Sequence, residues 1–262
     1  MRFVHITDTH VGPTPDYRVL GQKSLPALEA LVKQINDLPF EPDFILHTGD
    51  IVDDGSEEAY ALARQTLQKL KTPIFYVLGN HDHPRAMRKV LLGKAPSAER
   101  YDYYVRLNGV ALAVFDSRGP ADPAGTLTSE QLEALRDLCA GKGPPLIIAL
   151  HHQPVHLDSI WLDEGWDEGK HMVLDCSDAF MEAIAPARER IRAVLFGHVH
   201  RPCEVICNGI LFTAPPSGCT QISSFPPDNT PTPSPREQPG FNIVTITDEE
   251  TIIKQHTFPR PK

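Results

Sequence analysis

The sequence lacks the features that mark a disulfide-stapled, membrane-spanning or nucleic-acid-binding protein. It has only five cysteines among 262 residues, an odd number in a chain long enough to need no disulfide framework. No apolar run approaches the ~18 residues that a membrane-spanning helix requires. The 25 basic residues are outnumbered by 34 acidic ones, giving a net charge of −9, which disfavours binding to a nucleic-acid polymer.

The amino terminus also lacks the features of a secretory leader. Met1 leads at once into a short apolar segment, without a charged region, a longer apolar stretch or a cleavage site. We therefore expect a soluble, cytoplasmic protein that contacts no membrane and acts on a small molecule. Cys203 and Cys207 have the spacing of a metal clip, but their apolar neighbours favour small buried thiols. The sequence leaves the oligomeric state open, a homo-oligomer included.

Short apolar runs alternate with helical patterns over the first two thirds of the chain, which is typical of strands covered by helices. Apolar residues at spacings of three and four predict an amphipathic helix from Ser24. Ser56 is the predicted N-cap of a helix over about 57–70, and Thr128 opens a capping box before a helix through Leu138. The predicted strands cover 3–6, 44–46, 74–78, 110–115, 146–150, 193–196, 204–206, 210–213, 241–246 and 251–255.

Residues 155–175 depart from this pattern and predict a cap, an insertion outside the core. Both tryptophans, Trp161 and Trp166, lie in it. With the acidic residues around them they have the chemistry to hold a quaternary ammonium group or to stack on a base. The alternatives are a dimer contact or a small core of the cap itself. The acidic residues of the cap are Asp158, Asp163, Glu164, Asp167 and Glu168.

Residues 226–239 contain six prolines and predict an extended surface loop, because proline suits neither a helix interior nor a central strand. The sequence shows no internal repeat. We interpret residues 1–262 as a single domain that carries the cap and this proline-rich loop.

The polar residues with metal-ligand chemistry follow the predicted strands. In α/β sheets the carboxyl ends of the strands form the ligand crevice, so five separate segments are expected to converge. Carboxylates, an amide oxygen and imidazoles without thiolate suit manganese, iron, zinc or cobalt. Two metals need a bridging carboxylate, for which Asp50 is the candidate. The polar segments are Asp8-Thr-His10, Gly49-Asp50, Gly79-Asn-His-Asp82, His151-His152 and Gly197-His-Val-His200.

This motif series resembles that of the calcineurin-like metallophosphoesterases, from residue 5 to about 200. The resemblance implies an α/β fold, a four-layer α-β-β-α sandwich, with two metal ions and hydrolysis of a phosphate ester. It also implies that the phosphate contacts His81, for which we expect Asp82 to be the orienting partner. The implied ligands are Asp8, His10, Asp50 and His200 for one metal, and Asp50, Asn80, His151 and His198 for the other.

The segments Thr48–Asp53 and Gly79–Asp82 further resemble those of class III cyclic-nucleotide phosphodiesterases and glycerophosphodiesterases. We therefore expect a phosphodiesterase that uses a metal-bridging hydroxide on a cyclic nucleotide or a glycerophosphodiester. A phosphomonoesterase with the same core is the alternative. A non-catalytic metal-binding scaffold is a remote third interpretation, because such a protein is expected to lack ligands and this series is complete.

Four polar residues near these motifs have other interpretations. His5 and His47 lie in predicted strands and are interpreted as packed side chains. Asp53 is interpreted as a residue that approaches a helix or orients a ligand. For His152 two interpretations stay open: contact with the site or the substrate, or a side chain turned into the fold.

Overall fold

The computed structural model describes residues 1–120, 122–167 and 171–261. They form two large β-sheets, a small hairpin and six α-helices. The strands are β1 (Arg2–Ile6), β2 (Arg18–Val19), β3 (Gln22–Lys23), β4 (Ile45–His47), β5 (Ile74–Tyr76), β6 (Tyr103–Leu107), β7 (Val110–Val114), β8 (Leu146–Ala149), β9 (Ile191–Leu195), β10 (Cys203–Cys207), β11 (Ile210–Ala214), β12 (Gly240–Ile246) and β13 (Thr251–Thr257). The helices are α1 (Ser24–Asn36), α2 (Glu57–Leu67), α3 (Pro84–Ala86), α4 (Ser129–Cys139), α5 (Ile160–Asp163) and α6 (Ser177–Ile184), with a π-helical turn at Met87–Leu91 and a 3-10 turn at Ala185–Ala187.

Each large sheet has a parallel centre with antiparallel strands beside it. The first sheet has the order β13-β12-β1-β4-β5, and the second has the order β10-β11-β9-β8-β7-β6. Strands β1, β4 and β5 are parallel to one another, as are β7, β8, β9 and β11. Within each sheet, therefore, the loops that follow the parallel strands gather at one edge.

The two sheets pack face to face, and helices cover their outer faces. The core between the sheets contains Phe3 and Leu46 from the first sheet and Leu112, Ile147 and Leu195 from the second. A second core lies between the first sheet and helices α1 and α2. A third lies between the second sheet and helices α4 and α6. This order of layers confirms the predicted α-β-β-α sandwich.

Helix α1 begins at the predicted residue, and α2 and α4 begin directly after their predicted caps. Ser56 Oγ accepts a hydrogen bond from Ala59 N at 3.2 Å, and Thr128 and Gln131 form the reciprocal contacts of a capping box. Helix α2 ends at Leu67 rather than near residue 70. There the chain tightens, and Leu70 N donates to Leu67 O at 3.0 Å, a bond across three residues instead of four.

Strand β6 and helix α6 are not predicted by the sequence patterns, and neither are the hairpin of β2 and β3 and the short helices α3 and α5. Strand β6 lies at a sheet edge and alternates exposed and half-buried side chains, so it contains no continuous apolar run. Helix α6 spans only eight residues. Its apolar stripe is too short to stand out as a helical period after the polar segment that precedes it.

The cysteines of the described chain are free thiols. Cys203 and Cys207 are half-buried residues of β10 and pack against the core beside the second sheet. This placement supports the packing interpretation over a metal clip.

Residues 155–175 are not wholly outside the core, so the expectation of an excursion is wrong for their apolar members. Trp161 and Leu162 in α5 are each 1% exposed, and Met172 and Leu174 join the same core. The cap packs because these large apolar side chains are removed from water together. Glu168 and the two residues after it lie outside the described part of the chain.

The described residues 226–239 contain neither a helix nor a strand, and only an isolated bridge joins Pro233 to Ile222. Most of the segment is exposed, yet its main chain is anchored: Trp161 N donates to Asp228 O at 3.0 Å. The proline-rich loop therefore rests against α5. In the described part of the chain, no helix combines the length and hydrophobicity that crossing a bilayer requires.

Candidate metal centre

Loops from both sheets meet at the carboxyl ends of β1, β4, β5, β8 and β9. Asp8 N donates to Gly49 O at 3.0 Å, and Gly197 N donates to His151 O at 3.0 Å. His198 N, in turn, donates to the Asp8 carboxylate at 3.1 Å. The structure thereby brings together all seven predicted ligands, which are Asp8, His10, Asp50, Asn80, His151, His198 and His200.

The first candidate cation position is surrounded by four buried side chains, Asp8, His10, Asp50 and His200. His10 Nδ1 donates to Asp53 Oδ1 at 2.9 Å, and His200 Nδ1 donates to Thr220 O at 3.1 Å. Donation from Nδ1 leaves a lone pair on Nε2 of each ring. These two Nε2 atoms are 2.9 Å apart. The Oδ2 atom of Asp50 lies 3.5 Å from His10 Nε2. Such a set of acceptors fits a cation between them.

The second candidate cation position lies among Asp50, Asn80, His151 and His198. His151 Nδ1 donates to Thr48 O at 2.7 Å, which leaves the lone pair on Nε2. That Nε2 lies 3.0 Å from Asn80 Oδ1 and 3.3 Å from Asp50 Oδ2. His198 Nε2 is buried and has no hydrogen-bond partner among the described residues. A buried polar atom without a partner is costly, and a bound cation would satisfy it.

Asp50 belongs to both clusters. Its Oδ2 lies 3.5 Å from His10 Nε2 and 3.3 Å from His151 Nε2. One carboxylate placed between two cation positions is the arrangement that a binuclear centre needs.

The electrostatics of these side chains also fit cation binding. Burial lowers the pKa of His200 to about 4 and that of His198 well below its ordinary value, so both rings are neutral, as metal ligation requires. Burial raises the pKa of Asp8 to about 6, with Asp50 adding to the rise and His151 opposing it. Burial would lower the pKa of His151, but the Asp50 and Asp8 carboxylates and the Thr48 carbonyl together raise it to about 9, so without a metal Nε2 carries a proton that a cation would replace. The cluster therefore attracts positive charge.

Residues 1–202 match the family model described as calcineurin-like phosphoesterase. The chain belongs to this family. Family membership implies divalent metal ions, and the two clusters supply the donors to hold them.

Two curated relatives of this phosphoesterase cover almost the whole chain. One is the 3′,5′-cyclic adenosine monophosphate phosphodiesterase CpdA of Vibrio vulnificus, 31% identical over 97% of this chain and 89% of that protein. The other is the probable glycerophosphodiester phosphodiesterase GpdQ of Arcobacter nitrofigilis, 24% identical over 98% of this chain and 93% of that protein. Together with the family match, they identify this chain as a hydrolase of phosphoric esters.

Among solved structures, a dimetal phosphatase from Danio rerio aligns with a TM-score of 0.72. The alignment covers 98% of this chain and 96% of that chain at 14% identity. At this identity the likeness shows the fold of the phosphoesterase and nothing finer.

The backbone of this phosphoesterase is strained at its predicted ligands. A non-glycine residue with positive φ is uncommon and costs roughly 1–3 kcal/mol. Gly79 permits part of this geometry, because a Cβ there would lie 2.2 Å from Asp50 Oδ1. The left-handed residues of the site are Asp8 (φ 52°), His10 (44°), Asp50 (53°), His198 (71°) and His200 (48°).

His81 lies beside these clusters, but Asp82 is not its partner, and that expectation is wrong. His81 Nδ1 donates to Asp53 O at 2.6 Å. Asp82 turns away because its carboxylate accepts from Gly79 N at 3.0 Å and from Tyr60 OH at 2.8 Å. It also accepts from two backbone N–H groups in the loop after β4. Asp82 therefore holds two loops together instead of orienting the imidazole of His81.

Asp53 makes the contact with His81 that was expected of Asp82, through its backbone carbonyl, and contacts His10 and Tyr17 as well. Its carboxylate accepts from His10 Nδ1 at 2.9 Å and from Tyr17 OH at 2.6 Å, while its carbonyl accepts from His81 Nδ1. Asp53 thus orients one candidate ligand and the candidate catalytic histidine, which agrees with its interpretation as an orienting residue. The contact with Tyr17 has no sequence signal, because Tyr17 lies 36 residues away.

Asp122 and Ser117 are site residues that the sequence patterns do not reveal. Asp122 Oδ1 accepts from Asn80 Nδ2 at 2.6 Å, so Asn80 presents its oxygen to the second cluster. Ser117 Oγ lies 2.8 Å from His152 Nδ1, and His152 Nε2 donates to Pro123 O at 3.0 Å. Both ring nitrogens of His152 therefore have partners within the fold, which favours a supporting role for a ring that also lies close to His151 and His198.

His5 and His47 are buried, as their interpretation as packed side chains requires. His5 Nε2 lies 2.9 Å from Thr48 Oγ1, and His47 Nε2 lies 3.0 Å from Thr9 Oγ1. Burial lowers the pKa of each ring to about 3. These neutral rings belong to the polar network behind the site.

Proposed function

We propose that this phosphoesterase is a binuclear metal-dependent phosphodiesterase acting on a small diester, a cyclic nucleotide or a glycerophosphodiester. The observation that carries the proposal is the pair of acceptor-rich clusters that share Asp50. The activities for which the two relatives are named, cyclic adenosine monophosphate phosphodiesterase and probable glycerophosphodiester phosphodiesterase, support a diester over a monoester.

Each cluster would hold one cation. Carboxylate, amide and imidazole donors without thiolate suit manganese, iron, zinc or cobalt. When bound, a pair of such ions lowers the pKa of water and neutralises phosphate charge. The ligands would be Asp8, His10, Asp50 and His200 for one ion, and Asp50, Asn80, His151 and His198 for the other.

His81 is the residue proposed to act on the substrate. Its side chain is about one third exposed and lines the same cavity as Asp50 and Asn80. Burial would lower its pKa, but Asp50, the carbonyl and carboxylate of Asp53, and Asp122 together raise the pKa to about 9. A protonated imidazole there can hold a phosphate oxygen or protonate the leaving oxygen.

The cavity sets the size of the substrate. It has a volume of about 300 Å³, at the lower end of the range for small-molecule sites. A net charge of −9 opposes a polyanion at long range. Both observations favour a small diester over a nucleic-acid polymer.

The test combines metal analysis with turnover. The purified chain is stripped with a chelator, reloaded separately with manganese, iron, zinc or cobalt, and analysed for bound metal per chain. Turnover is then measured on bis(4-nitrophenyl) phosphate and 4-nitrophenyl phosphate. We expect two ions per chain and a higher kcat/KM on the diester.

Three other outcomes would each contradict the proposal. One ion per chain at saturation contradicts the binuclear centre. Faster turnover of the monoester supports the phosphomonoesterase alternative. Two bound ions without turnover of any ester support the scaffold.

A further inference from the structure

The cavity at the metal centre has two chemically different linings. Five of its residues belong to the candidate metal centre or its catalytic histidine. Asp122 and Pro123, from the segment after β7, also line it. A second group is apolar and comes from the cap and from the loop after β11. This apolar lining consists of Trp166, Met172, Ile222 and Pro231, with an edge of the buried Trp161.

The acidic residues of the cap that the structure describes do not take part in this lining. Asp163 is occupied elsewhere, because its carboxylate accepts from Leu157 N at 2.8 Å and from Ser159 N at 3.1 Å. Among the described residues, no carboxylate of the cap lines the cavity. The described cap therefore contributes rings to the lining but no acid, and Asp122, the carboxylate of the lining outside the metal centre, accepts from Asn80 Nδ2 at 2.6 Å. A flat, uncharged group matches the lining better.

The apolar lining is fixed in place by a clamp between the cap and the proline-rich loop. Trp161 Nε1 donates to Ser223 O at 2.8 Å, and Trp161 N donates to Asp228 O at 3.0 Å. The Asp228 carboxylate accepts from Ser223 Oγ at 2.6 Å. Trp161 also supports the ring of Trp166, since their centroids are 5.9 Å apart at an interplanar angle of 70°. The position of Trp166 is thus set before any ligand binds.

The same clamp is joined to the metal centre. Ile222 N donates to His200 O at 3.2 Å, so the loop that carries the apolar lining is bonded to a candidate ligand. A diester whose phosphate lies at the metals would therefore place its organic group against a preformed apolar surface.

We propose that Trp166, Met172, Ile222 and Pro231 form a subsite for the base of a 3′,5′-cyclic nucleotide, with Trp166 as the stacking partner. This inference rests on the proposed phosphodiesterase function and chooses between its two substrates. A base offers a π-face to the indole ring and leaves its polar edge free. Glycerol hydroxyls on this lining would lose water without gaining hydrogen bonds, which is unfavourable.

The test measures how much the base contributes to turnover. Wild type and Trp166→Ala, loaded with the same metals, are compared on adenosine 3′,5′-cyclic monophosphate, on ribose 3′,5′-cyclic phosphate, which lacks the base, and on glycerophosphoethanolamine. Stacking is worth about 1–3 kcal/mol per base, so Trp166→Ala should lower kcat/KM for the cyclic nucleotide about 10-fold. The other two substrates should change less than about 2-fold.

Two variants serve as controls. Trp166→Phe keeps a ring and should retain most of the preference for the base. Ile206→Ala removes an apolar side chain that is 77% exposed on β10 and lies outside the cavity lining, so it should leave all three substrates unchanged. The contribution of the base to binding can also be measured without turnover, by calorimetric titration with adenosine 5′-monophosphate. Its Kd should rise about 10-fold in Trp166→Ala.

The outcomes separate this inference from the proposed function. If the wild type turns over bis(4-nitrophenyl) phosphate but shows no preference for the base, or prefers glycerophosphoethanolamine, the subsite is wrong and the phosphodiesterase stands. An equal loss on all three substrates in Trp166→Ala also overturns the subsite. If the loaded wild type hydrolyses no diester at all, the proposed function itself fails.

Discussion

At the scale of single residues, Asp50 is the side chain on which both candidate metal sites depend. Its charge faces His10 on one side and His151 on the other, and each imidazole nitrogen lies within 3.5 Å of the carboxylate. Its Oδ1 also accepts from His81 N at 3.0 Å. A change here therefore affects three parts of the site at once.

We expect Asp50→Asn to lose both bound metals and all detectable turnover. Asparagine keeps the shape and an acceptor for His81 N, but it removes the negative charge between the two cation positions. The measurement is metal content per chain by elemental analysis, with Asn80→Ala for comparison. Asn80→Ala should lose mainly one ion and recover part of its activity in excess metal. Full occupancy of both sites in Asp50→Asn would show that Asp50 does not bridge.

His81 is the residue where binding and proton transfer can be separated. We expect His81→Ala to keep its metals and to lose roughly 10²–10⁴ in kcat, the usual contribution of general acid–base help. The loss should be larger for an alkyl diester than for a nitrophenyl diester, because a nitrophenolate leaves without protonation. A leaving-group series measured on both proteins decides this. Equal losses across the series would leave His81 only an anchoring role.

Asp53→Asn tests the orientation of His10, because His81 Nδ1 bonds the backbone carbonyl of Asp53, which this substitution keeps. It weakens the contact that fixes His10 Nδ1–H, and changes of this kind typically cost 10–100-fold in metal affinity or activity. A loss confined to kcat, with metal affinity unchanged, would contradict a role at His10. Metal titration at constant substrate separates the two effects.

At the scale of secondary-structure elements, Asp82 joins α2 to the loops that follow β4 and β5. The carboxylate accepts from Tyr60 OH of α2 and from the backbone N–H groups of Ile51, Val52 and Gly79. These loops carry Asp50 and Asn80, so their relative position depends on one buried carboxylate.

We expect Asp82→Asn to lower the free energy of unfolding by roughly 2–4 kcal/mol, because an amide nitrogen would face donors that need an acceptor. Urea unfolding of the two proteins measures the difference. Tyr60→Phe removes one of the contacts and should show a smaller loss. If Asp82→Asn is instead as stable as the wild type, Asp82 does not hold these loops together.

At the scale of the whole molecule, the cap, the proline-rich loop and the second sheet form one packed unit. Trp161 is the residue that connects them, since it is 1% exposed, belongs to the core beside the second sheet and donates to Ser223 O. Trp166 lies only 5.9 Å away but is half-buried and faces the cavity. Two tryptophans five positions apart therefore have different roles.

We expect Trp161→Ala to lower the free energy of unfolding by about 3–5 kcal/mol, the usual cost of emptying a buried aromatic site. Trp166→Ala should cost less than about 1.5 kcal/mol, because its side chain is already partly in water. Urea unfolding of both variants tests the contrast. Equal losses would mean that both rings serve the core and that neither is free to recognise a substrate.

The sequence by itself determined the fold class and the location of the chemistry. Apolar periodicity and capping residues are local properties, so they placed α1, α2, α4 and most strands within a few residues. Ligand-type side chains directly after apolar runs indicated that the loops after β1, β4, β5, β8 and β9 would converge. Ligand sites form at the carboxyl ends of parallel strands throughout α/β proteins, so this location can be predicted from the sequence alone.

The tertiary structure decided which side chains meet. His10 and His200 contact each other across 190 residues, and Asn80 contacts His151 across 71 residues. Asp53 rather than Asp82 holds His81, because the loop after β4 passes beside it while the Asp82 carboxylate is already bonded to the ends of two loops. Side-chain direction in such loops depends on left-handed residues such as Asp50 and on packing between distant segments. Neither leaves a periodic signal in the sequence.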